Sequence, residues 1–325
     1  MGIKEQQNKK LFFTFLITVL FFTAILGGCS QKKTETQTNK GYSVTDEFGH
    51  TLHFTEKPRF VLGNTTNIEE ILIDLVTPER MSAISESNLN KDFSLIADKA
   101  AKVKTKIPDR ASIETVVALH PDLFFMQIKT DQAMADTLTE MGIRVYRMKT
   151  PVILETIRKR IQEMSIAVGE PERGAAMVQE LDQKIANVKK RTGNIPKEKR
   201  KKVIAFSSLG ASGSRTGVFH EICEESGVIN GGAMAGIEYA AKISDEQIIK
   251  VDPDIFVVTD EGPENGHGEA TVKKILADEA LKNVKASKDR RFIYLKARYR
   301  IANSQHFGDA VTAIAKGAYP ELFEN

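Results

Sequence analysis

Two stretches of this chain, SIETVVALHPDLFFM at Ser112–Met126 and SDEQIIKVDPDIFVV at Ser244–Val258, are copies of one pattern. Their offset is a constant 132 residues (244 against 112), with no gap over fifteen positions. Ser, Glu, Pro, Asp and Phe are identical in the two copies, and most other pairs exchange one apolar residue for another. Each copy reads as a short helix, a Pro-Asp turn and a strand, so the chain must contain two similar halves. In both, Ser sits at the helix N-cap and Glu two residues later. A serine oxygen there accepts from an orphan backbone N–H, and a carboxylate complements the positive helix end. Capping chemistry accounts for each copy alone, but not for the same choice of Glu114 and Glu246 in both halves.

The sequence around the repeat alternates in period. VTDEFGHTLHF, Val44–Phe54, predicts a β-hairpin around a glycine turn. RFVLG reads as a strand, NTTN (Asn64–Asn67) as a loop, IEEILIDLV as a helix and MSAIS as a second strand. The first copy places a helix at Ile113–Leu119 and a strand at Leu123–Met126. A helix at Asp131–Met141, stopped by Gly142, and a strand at Ile143–Met148 follow. From Pro151 the pattern becomes helical, with one long helix over Val152–Gly169 and another over Pro171–Lys190. Alternation then resumes with a strand at Val203–Leu209, a helix at Val218–Ser226 and the second copy. A helix at Thr271–Leu276, a strand at Arg291–Leu295 and a helix at Phe307–Ala318 complete it. Strands alternating with helices specify an α/β fold. The expected organisation is two Rossmann-like lobes with mostly parallel sheets, residues 43–150 and 170–325, joined by a long connector helix within 151–169.

The amino terminus sets the compartment. Lys4, Lys9 and Lys10 precede an uncharged apolar run, Leu11–Leu26, and small residues before Cys29. Residues 1–28 therefore read as a secretory signal. The residues before Cys29 resemble the lipobox of bacterial lipoproteins, which implies cleavage after Gly28 and lipidation of Cys29. Residues 29–42 then form the lipidated cysteine and a flexible tether, since SQKKTETQTNKG has no apolar side chain with which to pack. The expected location is extracytoplasmic, anchored to the cell membrane by lipid rather than spanning it. Without the three lysines and one glutamate of the signal, the chain keeps 43 basic and 42 acidic residues. That balance argues against nucleic acid as a partner. Cys223 is the one cysteine besides Cys29, so the core is expected to hold without an internal disulfide.

With these features in place, the chain resembles a known family, the iron-siderophore, haem and cobalamin substrate-binding lipoproteins of ABC importers. The residues that carry the resemblance are the repeated S-x-E…P-D unit, the lipobox, VTDEFGHTLHF and the long connector helix. It covers Val44 to about Pro320. It implies a ligand cleft between the lobes, at the carboxyl ends of the strands. It also implies a partner, an ABC permease dimer with its ATPase subunits, onto whose arginines Glu114 and Glu246 would dock, one per lobe. A two-fold permease needs one matching carboxylate from each half. The expected ligand is a ferric siderophore-type metal chelate, with haem and cobalamin as alternatives on the same scaffold. No resident cofactor or metal site is expected, and the protein is expected to act as a monomer.

The ligand residues are read from loops at strand ends. Thr65, Thr66, Arg110 and Gln127 belong to the first lobe, and Arg215, Asp260, Arg298, Tyr299 and Arg300 to the second. Guanidinium groups suit carboxylates, catecholates or propionates through paired donors. Tyr299, between two arginines, can stack on a ligand or reach a metal. GASGSRTG (Gly210–Gly217), between a strand and a helix, can offer backbone N–H groups to an anion, although turn chemistry explains its glycines equally well.

Other readings are weaker. A zinc or manganese receptor needs converging histidines, and none of the six is paired at helical ligand spacing. His220-Glu221 opens like a zincin helix but lacks the second His. A Met, which some haem binders of the family use ahead of the first glutamate, is replaced here by Asp109-Arg110. An extracytoplasmic enzyme is disfavoured because the chain has neither G-x-S-x-G nor a G-x-G-x-x-G after a strand.

Overall fold

In the computed structural model, which describes residues 41–324 except 130, 239 and 240, the chain first folds as an antiparallel hairpin. It pairs β1 (Tyr42–Thr45) with β2 (Thr51–Phe54), and Gly49 turns between them at φ +92°. The expected signal, Cys29 and most of the tether lie outside the described residues.

The first lobe then builds β3 (Val61–Gly63), α1 (Thr66–Leu75), β4 (Ile84–Ser85) and β5 (Lys106–Ile107). After α2 (Ile113–Leu119) come β6 (Leu123–Gln127), α3 (Gln132–Glu140) and β7 (Val145–Met148). Strands β3, β6 and β7 form a parallel sheet in the order β3-β6-β7, with Val61 opposite Leu123 and Phe124 opposite Val145. β4 and β5 form a parallel pair tied to that sheet by a bridge from Val61 to Met81. Every residue of β6, LFFMQ, is buried, as a strand covered on both faces must be. Its alternation divides the interior. Leu123 and Phe125 face the largest core, while Phe124 and Met126 join a separate cluster with Leu62, Val116 and Leu138.

Two long helices follow, α4 (Leu154–Ala167) and α5 (Pro171–Thr192). They cross closely because Gly174 offers no side chain: a Cβ there would sit 2.2 Å from that of Ser165. Their apolar stripes, including Ile157, Ile161, Leu181 and Ile185, belong to the same largest core. That core continues into the second lobe through Val203, Val257 and Leu295, so one apolar interior runs behind both sheets.

The second lobe contains β8 (Lys202–Ser207), β9 (Gly210–Gly213), α6 (Val218–Ser226), β10 (Ile229–Asn230) and β11 (Ala241–Lys242). α7 (Asp245–Val251), β12 (Ile255–Asp260), α8 (Glu269–Ala277), β13 (Phe292–Lys296), α9 (Ala297–Arg300) and α10 (Phe307–Ala318) complete it. The strand order is β11-β9-β8-β12-β13, with β10 beside β8. β8, β12, β13 and β10 run parallel, and β9 and β11 add an antiparallel edge. The fold is therefore a two-lobed, mostly parallel α/β architecture with a helical connector.

Three local expectations are corrected. GASGSRTG is not a loop throughout: Gly210–Gly213 is strand β9, paired with β8 and β11, and the loop is confined to Ser214–Gly217, although both parts line the cavity described below. KARYR is not a loop either, because Ala297–Arg300 forms the one-turn helix α9. Thr66 likewise lies inside α1, with Thr65 as its N-cap accepting from the Ile68 N–H.

Candidate functional site

The repeat keeps its geometry as well as its sequence. Ser112 caps α2 by accepting from the Thr115 N–H at 3.3 Å, and Ser244 caps α7 by accepting from the Gln247 N–H at 3.3 Å. Both helices end on a left-handed residue, His120 and Asp252, each at φ 45° and each just before the Pro-Asp turn. Glu114 and Glu246 are exposed in matching first turns. In both, the capping serine hydroxyl and the residue's own N–H hold the carboxyl below its ordinary value, so both are anions at neutral pH.

A cavity of about 490 Å³ opens at the carboxyl end of β8. One wall is Thr150–Val152, where the chain enters the connector, and the opposite walls come from β9, the start of α6 and residues 300–303. Its lining is largely apolar or small, with Val152, Leu209, Phe219 and Ile301 the large contributors. Leu209 is 76% exposed, an apolar side chain at the rim that no described residue covers. Among the described residues, the charged groups in the lining are Arg300 and Lys242, and no carboxylate, imidazole or thiol joins them. Arg300 is half-buried and donates from Nη1 to the Ser212 hydroxyl at 2.7 Å. Burial pulls its guanidinium below the ordinary value, and nearby Glu261 opposes that. Among the described residues, no group of three or more His, Cys, Asp or Glu is placed to hold a metal ion.

Of the nine ligand positions read from sequence, Arg300 lines this cavity. Arg298, only two residues away, is fully buried, and its role is corrected. Its Nε and Nη2 donate to Glu70 Oε1 at 3.0 and 2.7 Å, Nη2 also donates to Asn67 Oδ1, and the guanidinium lies over the Phe93 ring. Ser304 donates to the other Glu70 oxygen at 2.6 Å, and Gln305 reaches the Glu70 carbonyl and Asp74. Glu70, Asn67, Asp74 and Phe93 belong to the first lobe and Arg298, Ser304 and Gln305 to the second, so this network fastens the lobes together.

The remaining positions are occupied locally. Gln127, 6% exposed, accepts from Arg160 of α4 at 3.1 Å, and its backbone is clasped by Asn64. Burial holds the Arg160 guanidinium down to about 10. Asp260 accepts from the Gly262 N–H and pairs with His267 at 3.2 Å. Tyr299 packs against the main core, where burial pushes its hydroxyl up. Arg215 is exposed and faces Glu238 at 3.5 Å, and Arg110 is exposed ahead of α2. None of these, nor Thr65 or Thr66, lines the cavity.

The sequence reading missed the buried carboxylates of α1. Glu69 and Glu70 are both fully buried. Glu69 accepts from the Ser85 N–H and hydroxyl and from Asn88, while burial pushes its carboxyl up to about 7. The signal was present: in IEEILIDLV the apolar residues surround the helix, so its acidic positions had to be interior too. Leu209, Lys242 and Asn303 of the cavity carried no such signal.

Two α/β lobes tied by a helical crossing, with a cavity at strand carboxyl ends, define a two-lobed solute-binding architecture. The family model described as "Periplasmic binding protein" matches residues 64–299, well over half of the chain, and the chain belongs to that family. It is 21% identical over 265 residues to the uncharacterized ABC transporter substrate-binding lipoprotein YvrC of Bacillus subtilis (strain 168), covering 76% of this chain and 82% of the relative. A periplasmic binding protein from Veillonella parvula superposes with a TM-score of 0.72 at 20% identity, covering 86% of this chain and 98% of that one. The periplasmic heme-binding protein RhuT from Roseiflexus sp. RS-1, in apo form, gives 0.69 at 21% identity, covering 81% and 99%.

Proposed function

We propose that this chain is the solute-binding lipoprotein of an ABC importer and that it carries a ferric siderophore-type metal chelate. The observation that carries this reading is the cavity lining, which among the described residues has large apolar side chains, two cations and no carboxylate or imidazole. A bare metal ion requires anionic or imidazole ligands. A chelate arrives with its metal already wrapped, and presents instead an organic surface and residual negative charge. Arg300 and Lys242 match that charge, and Val152, Leu209, Phe219 and Ile301 match that surface. The volume falls within the ordinary range for small-molecule sites. Haem is the second reading, favoured by the likeness to RhuT, and its propionates would meet the same two cations.

The test is a thermal-shift panel on residues 41–325, which form one compact unit. An extrinsic dye is required because the chain has no Trp. Ferric hydroxamate, catecholate and citrate complexes, haem, cobalamin and zinc are compared. A ligand that binds the folded state alone raises the melting temperature, by ~2.7 kcal/mol of stability at a hundredfold excess over Kd. A chelate that stabilises supports the reading, and stabilisation by zinc alone sinks it.

Delivery is assigned to Glu114 and Glu246, the equivalent exposed anions of the two halves. In cells, converting both to Lys is expected to abolish uptake while the chelate still binds. Persistent uptake, or lost binding, would remove the docking role. Cys29→Ser is expected to release the protein from the membrane, and retention there would refute the lipid anchor.

A further inference from the structure

We infer that the basic end of the second lobe is a docking surface for an anionic phospholipid bilayer, on which the tethered protein rests. The near-neutral total hides a strong segregation. Residues 189–202, KKRTGNIPKEKRKK, contain eight basic residues and the single acid Glu198. The rest of the chain beyond residue 28 therefore keeps 35 basic and 41 acidic residues, a net negative remainder.

The fold gathers this charge at one place. Lys189, Lys190 and Arg191 end α5, the short turn Lys197–Lys199 follows, and Lys202 begins β8. α10 brings Lys316 alongside, and a groove of about 640 Å³ lies between α5 and α10. Basic residues in a last helical turn complement the helix dipole, which accounts for Lys189 to Arg191. It does not account for Lys197 and Lys199, which lie beyond the helix. Some of the cluster is engaged: Lys184 with Asp309, Lys189 with Glu225, and Arg191 with the Leu322 carbonyl and the Phe323 ring. Lys190, Lys197, Lys199 and Lys316 are exposed and pair with no carboxylate among the described residues.

Chain length permits the contact, on the proposed lipid anchor at Cys29. Eleven residues, Ser30 to Lys40, separate Cys29 from Gly41, a reach of at most ~40 Å. Tyr42 donates to the Ala167 carbonyl, which fixes the tether's entry beside the start of α5. α5 spans 22 residues, roughly 33 Å, from that point to the basic groove. Anchor and groove can therefore meet one membrane.

The orientation has a consequence for delivery. Lys202 donates from Nζ to the Val251 carbonyl at the carboxyl end of α7, whereas Glu246 lies in its first turn. The basic surface and Glu246 thus sit at opposite ends of α7. Resting on lipid turns Glu246 away from the membrane, so rest and permease docking are alternative orientations.

The experiment is co-sedimentation of residues 41–325, without lipid, with phosphatidylcholine vesicles either pure or enriched in phosphatidylglycerol. Binding is expected to anionic vesicles at low salt, to be absent with pure phosphatidylcholine and to be lost near ~0.5 M salt. The variant Lys190→Gln/Lys197→Gln/Lys199→Gln/Lys316→Gln is expected to keep its melting temperature and bind ~600-fold more weakly, at about fivefold per lysine. Equal binding to both vesicle types, no binding to either, or an unaffected variant overturns the surface. So does release by low millimolar inorganic phosphate, which would make the groove a free-phosphate site. None of these outcomes bears on the chelate panel, so each reading can fail without the other.

Discussion

The junction around Arg298 and the cavity around Arg300 are built from neighbouring residues and are opposite in kind. At the junction the buried charges meet each other. Glu70 takes Arg298 and Ser304 on its two oxygens, and its backbone carbonyl takes Gln305. At the cavity, Arg300 holds one serine, has the Glu261 charge nearby and faces the open volume. α9 is a single turn, so residues two apart project to opposite sides, one inward to the first lobe and one to the opening. Matched polarity fastens parts of a protein, and unmatched polarity waits for something else.

The comparison breaks most visibly at the junction. Arg298→Met leaves Glu70 buried without its cation and is expected to destabilise by ~3–5 kcal/mol, on the order of 10 °C in melting temperature. Adding Glu70→Leu is expected to recover much of that loss, because a buried pair replaced by apolar residues is often neutral. A loss under about 1 kcal/mol from Arg298→Met would mean that the lobes are not fastened there.

Glu69, beside Glu70 in sequence, sharpens the contrast, since no cation meets it. Unfolded, its carboxyl releases a proton near 4.5, and folded at about 7. Between those values the folded state holds more protons, so stability falls as pH rises through that window, by up to ~3 kcal/mol. Chemical denaturation across the window, with Glu69→Gln alongside, checks this. The variant is expected to lack this component of the slope, and an unchanged slope would assign it elsewhere.

At the cavity the expected change is in binding rather than folding. Arg300→Ala is expected to weaken the chelate that stabilises best by roughly 10- to 100-fold, the worth of one charged hydrogen bond, with little change in melting temperature. Titration of the variant against that chelate decides it, and unchanged affinity would remove Arg300 from the site.

Much of the scaffold could be read from the residues. α2, α6 and α10 fall where the Ser112 cap and apolar spacing put them. The parallel sheets followed from strand–helix alternation. β9 was not legible because GASG has little strand preference, and its pairing comes from the partner strand beside it. Arg298 and Arg300 could not be separated either, since the turn that sends them to opposite sides is set by tertiary packing. The cavity is assembled from segments about 20 to 60 residues apart, whose side chains carry no shared pattern.

The buried fastening between the lobes also bears on how a transporter could tell a loaded receptor from an empty one. A receptor that swings shut spends part of its recognition energy on the swing and announces its cargo by a change of shape. Here a matched pair already holds the halves, so little of the affinity would be diverted into motion, and the spacing of Glu114 and Glu246 would be nearly the same with or without cargo. The permease would then have to sense the cargo at the exposed rim of Leu209 rather than a change in the receptor's span.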